Sequence, residues 1–318
     1  MPLEMSAPAP AGRDAAAEPP FVSVIIPHLN DRERLVGCLD LLRRQTYPHD
    51  RFEVIVVDNG STLPLDDVMA RFPEVVVTSE AERGCGTARN RGVAVSRGDI
   101  LAFTDADCLP EVTWLANAVR PFLVDDAPDI VGGEIEVFAA DENRPTDVEL
   151  YEKVFAFQQA DYVRRKGFAA GANIVTRREA FDRIGPFRNG TVAEDLEWGR
   201  RAGAAGCRLA YCADAVVRHP ARRNWEELRW KMNRTVFHNL NLMKERPLFH
   251  LRWLIMIALL SVPPVDKLWE VAVNPRLRGA SERLGAARTL VRLRYYRVGT
   301  MLRRLFDREK LGREHYSS

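Results

Sequence analysis

DILAFTDAD, residues 99–107, is an apolar run that ends in two carboxylates. Ile100, Leu101, Ala102 and Phe103 leave no polar face, so the strand they form must be covered on both sides, as in the middle of a parallel sheet. Asp105 and Asp107 then stand where that strand runs out. Two acids one residue apart can hold a divalent cation, because Mg2+ or Mn2+ prefers oxygen ligands and keeps positions open for phosphate oxygens. Without compensation they repel each other, and an apolar strand is a poor place for unneeded charge. The competing reading is a pair of solvated loop acids capping a helix opened by Pro110.

Upstream the pattern repeats. FVSVIIP (21–27) and FEVIVV (52–57) are β-branched apolar runs, and residues 75–78 form a shorter one. Between the first two, Leu35, Cys38, Leu39 and Leu42 recur at helical spacing, with Asn30 and Glu33 placed as a capping box. Residues 88–96 are predicted helical, and Trp114, Leu115, Ala118, Val119 and Phe122 mark one face of the helix after Pro110. Strand and helix in alternation predict an α/β fold with a Rossmann-like, mostly parallel sheet flanked by helices. Ligands of such sheets gather at the carboxyl ends of the strands, which makes Pro27, Asp58 and Asp105 expected neighbours. Asp58 also fits a bland role, the first residue of the turn Asp58-Asn59-Gly60-Ser61.

Downstream of residue 130 the rhythm changes to α+β. Gly132-Gly133 precedes an alternating strand over 134–138, and 151–162 reads as an amphipathic helix. Short helices are expected over 178–184 and 194–205 and short strands over 209–212 and 215–217, extending the same sheet. Trp225, Leu228, Met232, Val236, Leu240 and Met243 mark a long helix.

The 318 residues are 46% hydrophobic, enough for a sizeable core, and the formal net charge of +2 gives no global field to recruit nucleic acid. Five cysteines without a CxxC pair suit a reducing compartment, and residues 1–20 lack the basic start and apolar stretch of a signal peptide. The expected location is therefore cytoplasmic, with 1–20 a disordered tail. Residues 254–265 are too short and too Pro-broken to span a bilayer, leaving a buried helix or an interfacial segment. Residues 276–313 hold twelve basic residues against three acids, about +9, interleaved with Leu290, Leu293, Tyr296, Met301 and Leu305. That composition suits an anionic membrane surface on its inner face, or a solvated helix packed on the rest of the protein.

VSVIIPHLN, VIVVDNGS, GTARNRGVAVSRGDILAFTDADC, GAN followed by RREAF, and AEDLEW occur in the order found in family 2 glycosyltransferases of the GT-A fold, which the chain resembles over about residues 21–240. The resemblance implies a catalytic domain over 21–245, divided into a nucleotide-binding half (21–130) and an acceptor half (131–245); the helical, basic C-terminal extension over 246–318 departs from the family pattern. It implies that Asp58, with Pro27, Leu29 and Asn30, holds the base and ribose of a nucleotide sugar, UDP by the family's habit, and that Arg89 faces the nucleotide. It assigns Asp105 to ribose or cation, Asp107 to the Mg2+ or Mn2+ bridging the diphosphate, and His219 as a further metal contact. Asp195, beside Glu194 at a helix start, becomes the base that activates an acceptor hydroxyl in an inverting transfer, and Gly171, Ala172 and Asn173 shape the sugar or acceptor pocket. The acceptor would be a saccharide or a lipid-linked hydroxyl in surface polysaccharide or glycolipid assembly. The processive QxxRW signature and a run of membrane helices are absent from the sequence, which favours transfer of a single sugar. Two other classes compete. A nucleotidyltransferase should show a Gly-rich, Lys-bearing loop after the first strand, where this chain has PHLNDRER. An inactive sugar-nucleotide-binding or scaffolding protein would not need Asp107, Asp195 and His219 together.

Overall fold

The computed structural model describes residues 18–189, 193–244 and 246–306. Residues 1–17 of the expected tail and 307–313 of the basic segment lie outside the described residues.

Eight strands form one sheet among those residues: β1 (Val22–His28), β2 (Phe52–Asp58), β3 (Val76–Ser79), β4 (Ile100–Phe103), β5 (Leu109–Pro110), β6 (Ile130–Phe138), β7 (Ile174–Arg177) and β8 (Leu209–Pro220), in the order β3-β2-β1-β4-β7-β6-β8-β5. The helices are α1 (Arg32–Leu42), α2 (Asp66–Arg71), α3 (Cys85–Val95), α4 (Trp114–Val119), α5 (Asp147–Phe155), α6 (Gln159–Asp161), α7 (Arg178–Ile184), α8 (Glu194–Ala204), α9 (Trp225–Lys244), α10 (Phe249–Ser261), α11 (Val265–Val273) and α12 (Gly279–Phe306). The fold is α/β, a sheet flanked by helices and followed by C-terminal helices, as expected.

Strands β3, β2, β1 and β4 are parallel, and β1 aligns His28 with Asp58 and Ile25 with Phe103. Their carboxyl ends therefore meet at one rim. Beyond β4 the sheet turns antiparallel: Phe103 faces Ile174 of β7, and Leu109 of β5 faces Arg218 of β8. Those two registers bring the start of β7 and the end of β8 to the same rim.

By internal contacts the chain divides into two units, 1–136 with 157–219 and 137–156 with 220–318. In the first, Val24 and Ile26 of β1 pack with Leu35, Leu39 and Leu42 of α1 and with Trp114 of α4 on one face of the sheet. Ile25, Leu101 and Phe103 pack with Phe181 of α7 and Trp198 of α8 on the other. Burying both faces explains why these strands lack a polar side.

The second unit is helical. Thr146 and Glu149 form a complete capping box that opens α5. Glu152 on α5 is buried with Arg222 and Lys231. Burial alone would raise its carboxyl, but those two cations hold it down at about 2. Leu290, Leu293 and Met301 of α12 are buried in this unit's apolar clusters. Of the apolar stripe read above as facing a membrane or packing on the protein, these three residues are spent on packing.

Several local expectations change. Pro110 does not open a helix; it pairs with Val217 in β5, at the sheet edge where a residue without an N–H costs least. Asn30 is no cap: it takes a positive φ of 53° and its Oδ1 accepts from the Thr62 N–H, while Asp31 precedes α1 without a side-chain cap. The helix expected over 151–162 starts earlier and breaks after Phe155, where Phe157 has a φ of 47°. The two strands expected over 209–217 are one, β8.

Candidate active site

The rim is built from β1 and β2 first. His28 is buried; its Nε2 accepts from the Asp31 N–H at 3.2 Å, so the ring proton is on Nδ1, which faces Ser61 Oγ at 3.2 Å and Asp58 Oδ1 at 3.4 Å. Asp58 also accepts from the Ser61 N–H. Burial would raise its carboxyl, but these hydrogen bonds from Ser61 and His28 outweigh it and hold Asp58 below the ordinary carboxylate range. Asp58 is thus a fixed anion at the strand end. Asn59, buried beside it, donates to the Glu80 and Glu82 carbonyls and accepts from the Gly84 N–H, tying down the loop that leads into α3. Gly84 has a φ of 143° and a Cβ there would lie 2.2 Å from Asn189 Nδ2, so glycine is required at this close approach. Pro27 is half-buried, and Leu29 and Asn30 are exposed at the same rim.

Asp105, Asp107, Cys108 and His219 bring their ligand atoms within 4.8 Å of one another. His219 reaches the cluster because β8 pairs with β5, two residues past Asp107; its Nε2 lies 3.6 Å from Asp107 Oδ2 and its ring packs on Phe157 at 4.5 Å. Arg34 of α1 approaches the same Asp107 oxygen at 3.5 Å. Burial, and behind it Asp105, still push the Asp107 carboxyl above its usual range despite His219 and Arg34. Two carboxylates with an imidazole within reach of one another suit Mg2+ or Mn2+. Cys108 is a poorer ligand for a hard cation: burial, then Asp105 and Asp107, push its thiol far up, so it stays protonated.

Arg89 of α3 connects this cluster to the other acid pair. Its guanidinium is buried, donating from Nη2 to Asp105 at 2.8 Å and from Nη1 to Glu194 at 3.1 Å. Burial works against its charge, but the surrounding acids more than restore it. Gly171 makes room: a Cβ there would sit 2.5 Å from Arg89 Nη2. The Gly171 N–H in turn donates to Asp195 Oδ2 at 3.3 Å, and the Leu196 N–H donates to Oδ1 at 2.7 Å, so the helix start of α8 and the turn before β7 both aim N–H groups at Asp195. Burial first, then the neighbouring Glu194, push Asp195 up to about 6. That is the range of a base working near neutral pH.

Ala172 and Asn173 follow in the same turn. Asn173 is fully buried, accepting from Trp114 Nε1 and donating to the Glu134 and Ala215 carbonyls, so its side chain joins β6, β8 and α4. Sequence reasoning missed the clamping roles of His28, Asn59 and Phe157 and the approach of Arg34, which only strand pairing and packing reveal.

The family model for Glycosyl transferase family 2 matches residues 23–185. The chain is 33% identical over 256 residues to the glycosyltransferase AglE of Haloferax volcanii, covering 77% of this chain and 83% of the relative. It is 28% identical over 238 residues to the probable glycosyltransferase YdaM of Bacillus subtilis, covering 71% of this chain but 56% of that relative. Among solved structures, the mannosyltransferase PcManGT of Pyrobaculum calidifontis, in complex with GDP-Man and Mn2+, aligns with a TM-score of 0.61 at 24% identity over 94% of this chain and 92% of the other. TarS of S. aureus aligns with a TM-score of 0.51 at 19% identity over 70% of this chain and 40% of its own.

Proposed function

Because this chain belongs to glycosyltransferase family 2, an enzyme family, we propose that it moves a single sugar from a nucleoside-diphosphate sugar to a hydroxyl acceptor, with inversion, using Mg2+ or Mn2+. The observation that carries this reading is the Arg89 bridge, which ties a cation-competent acid cluster at Asp105 to the acid pair at Glu194-Asp195. Asp58, held ionised by Ser61 and His28, is assigned to the base or ribose of the donor, where only an acceptor of hydrogen bonds is useful. Asp105, Asp107 and His219 would hold the cation, which when bound neutralises charge developing on the departing diphosphate. Asp195 takes the proton of the attacking hydroxyl, Glu194 and two backbone N–H groups set its basicity, and Arg89 fixes both acid groups in place. Gly171 and Ala172 line the proposed acceptor side, with Asn173 holding their turn. The five thiols are free, consistent with the cytoplasmic location expected. Uridine is the base proposed, and the GDP-Man held by PcManGT makes guanosine the first rival to assay. A saccharide or lipid-linked acceptor is proposed, the latter bringing the chain to an anionic membrane surface.

The test is to incubate the full chain with UDP- and GDP-sugars, Mn2+ and a panel of saccharide and lipid-linked hydroxyl acceptors, following release of nucleoside diphosphate and the anomeric configuration of the glycoside product by NMR. Cation-dependent release with an inverted product supports the proposal. Release that survives EDTA overturns the metal role, a retained configuration overturns the base, and tight donor binding without any release returns the protein to the class of inactive sugar-nucleotide binders.

A further inference from the structure

The helix α10 is apolar on both of its sides. Trp253 and Ile257 are buried beside Val236, Leu240 and Met301, whereas Leu251, Leu254, Ile255 and Leu259 on the outer face are 50% to 65% exposed. On α11, Val271 is buried and Val265, Trp269 and Val273, at intervals of four, are 55% to 70% exposed. A helix without a polar face belongs in a core or against an apolar medium. Exposed apolar surface of this extent marks a docking site rather than chance exposure.

Charge selects the occupant. Residues 246–306 hold twelve basic residues against three acids, a net of +9. Two of those arginines, both on α12, sit at the rims of the apolar face: Arg294 donates to the Leu259 and Leu260 carbonyls at the end of α10, and Arg283 to the Ala272 carbonyl at the end of α11. Each satisfies carbonyls that a helix end leaves without partners and fixes a cation beside exposed hydrocarbon. α10 and α11 themselves hold Arg252 and Lys267 against Asp266 and Glu270, so the excess lies on the residues flanking them; a second copy of the chain would set those arginines against one another, whereas anionic lipid headgroups complement the arginine rim and the acyl boundary accepts Trp269 and the leucines. No helix of the described residues is long and apolar enough to cross a membrane. α10, at ~1.5 Å per residue, extends about 20 Å against ~30 Å of hydrocarbon.

We propose that the outer faces of α10 and α11 lie in the interface of an anionic lipid bilayer, held by apolar insertion and by the arginine rim. This deepens the membrane-partner part of the function proposed above and moves the contact from the α12 stripe, which is internal, to the two preceding helices.

The test is sedimentation of the full chain with vesicles of phosphatidylcholine alone or with about a third phosphatidylglycerol, at low and high salt. Strong binding to the anionic vesicles, weakened by salt, and at least a tenfold loss of it in Leu259→Ser/Trp269→Ser are expected. The melting temperature and donor turnover with a water-soluble acceptor should stay unchanged in that variant. Single variants Leu251→Ser and Val265→Ser, measured alongside, should each weaken binding if the double variant proves unstable. Equal binding by all the variants, no binding by the parent chain, or a doubled mass in light scattering without vesicle binding would each overturn the proposal, the last by making the face an interface between copies. Vesicle binding requires no donor, so a failed sedimentation leaves the active-site reading standing, and a failed turnover assay leaves the membrane face standing.

Discussion

Asp195 sits where burial and the adjacent Glu194 raise its carboxyl to about 6, against the lowering pull of Arg89 and of two backbone N–H groups. A base works only when ionised, so a carboxyl shifted upward loses activity as pH falls through that value. kcat is predicted to drop ~10-fold per pH unit below about 6 and to level off above it, which a pH–rate profile measures directly. Glu194→Gln removes the like charge and should move that acid limb to lower pH; an unmoved limb would assign it to another group. Asn173 offers a stability test. Asn173→Ala removes the three side-chain hydrogen bonds with the Trp114 indole N–H and the Glu134 and Ala215 carbonyls, a predicted loss of about 3 kcal/mol, read from urea unfolding. The acids at Asp58, Asp105, Asp107 and Asp195 were legible in the sequence because charge at the end of an apolar strand or the start of a helix is conspicuous. His28, Asn59, Phe157 and Arg34 were not, because each gains its role from a residue that strand pairing or packing brings beside it.

Among the elements, the parallel strands could be read nearly to their ends, since doubly covered strands lose their polar face and no other element of that length does so. The antiparallel strands were read less well. The sequence pattern does not tell β8 from two short strands or β5 from a helix start, because Pro110 suits a first helical turn and an edge strand equally and only the partner strand decides. That ambiguity matters, since the β5–β8 register is what delivers His219 to Asp107. The turn before β7 makes its own prediction. Gly171→Ala places a methyl against the Arg89 guanidinium, which is held by Asp105 and Glu194 and has little room to give. The variant should melt at lower temperature, by an overpacking cost of ~1–3 kcal/mol, and lose turnover in excess of that instability. Unchanged turnover would separate Arg89 from catalysis.

For the molecule as a whole, a ligand that binds only the folded state raises its melting temperature, by about 2.7 kcal/mol of stabilisation at a hundredfold excess over Kd. Nucleoside diphosphate together with Mn2+ is predicted to raise the melting temperature more than the sum of either alone, because the Asp105 and Asp107 carboxylates would repel the diphosphate unless a cation stood between them. The helical C-terminal segment was legible as basic and amphipathic, but which helix spends its apolar residues internally was not: that depends on which faces meet, and α12 and α10 divide the work differently from what composition suggests. If Asp195 acts on the acceptor side while Asp105 and Asp107 serve the donor side, calorimetric donor affinity beside single-turnover transfer in Asp195→Asn separates the two roles. A fall in transfer of ~10²–10⁴-fold with donor Kd unchanged is the predicted result. Transfer at the parent rate, or donor binding lost along with it, would contradict it.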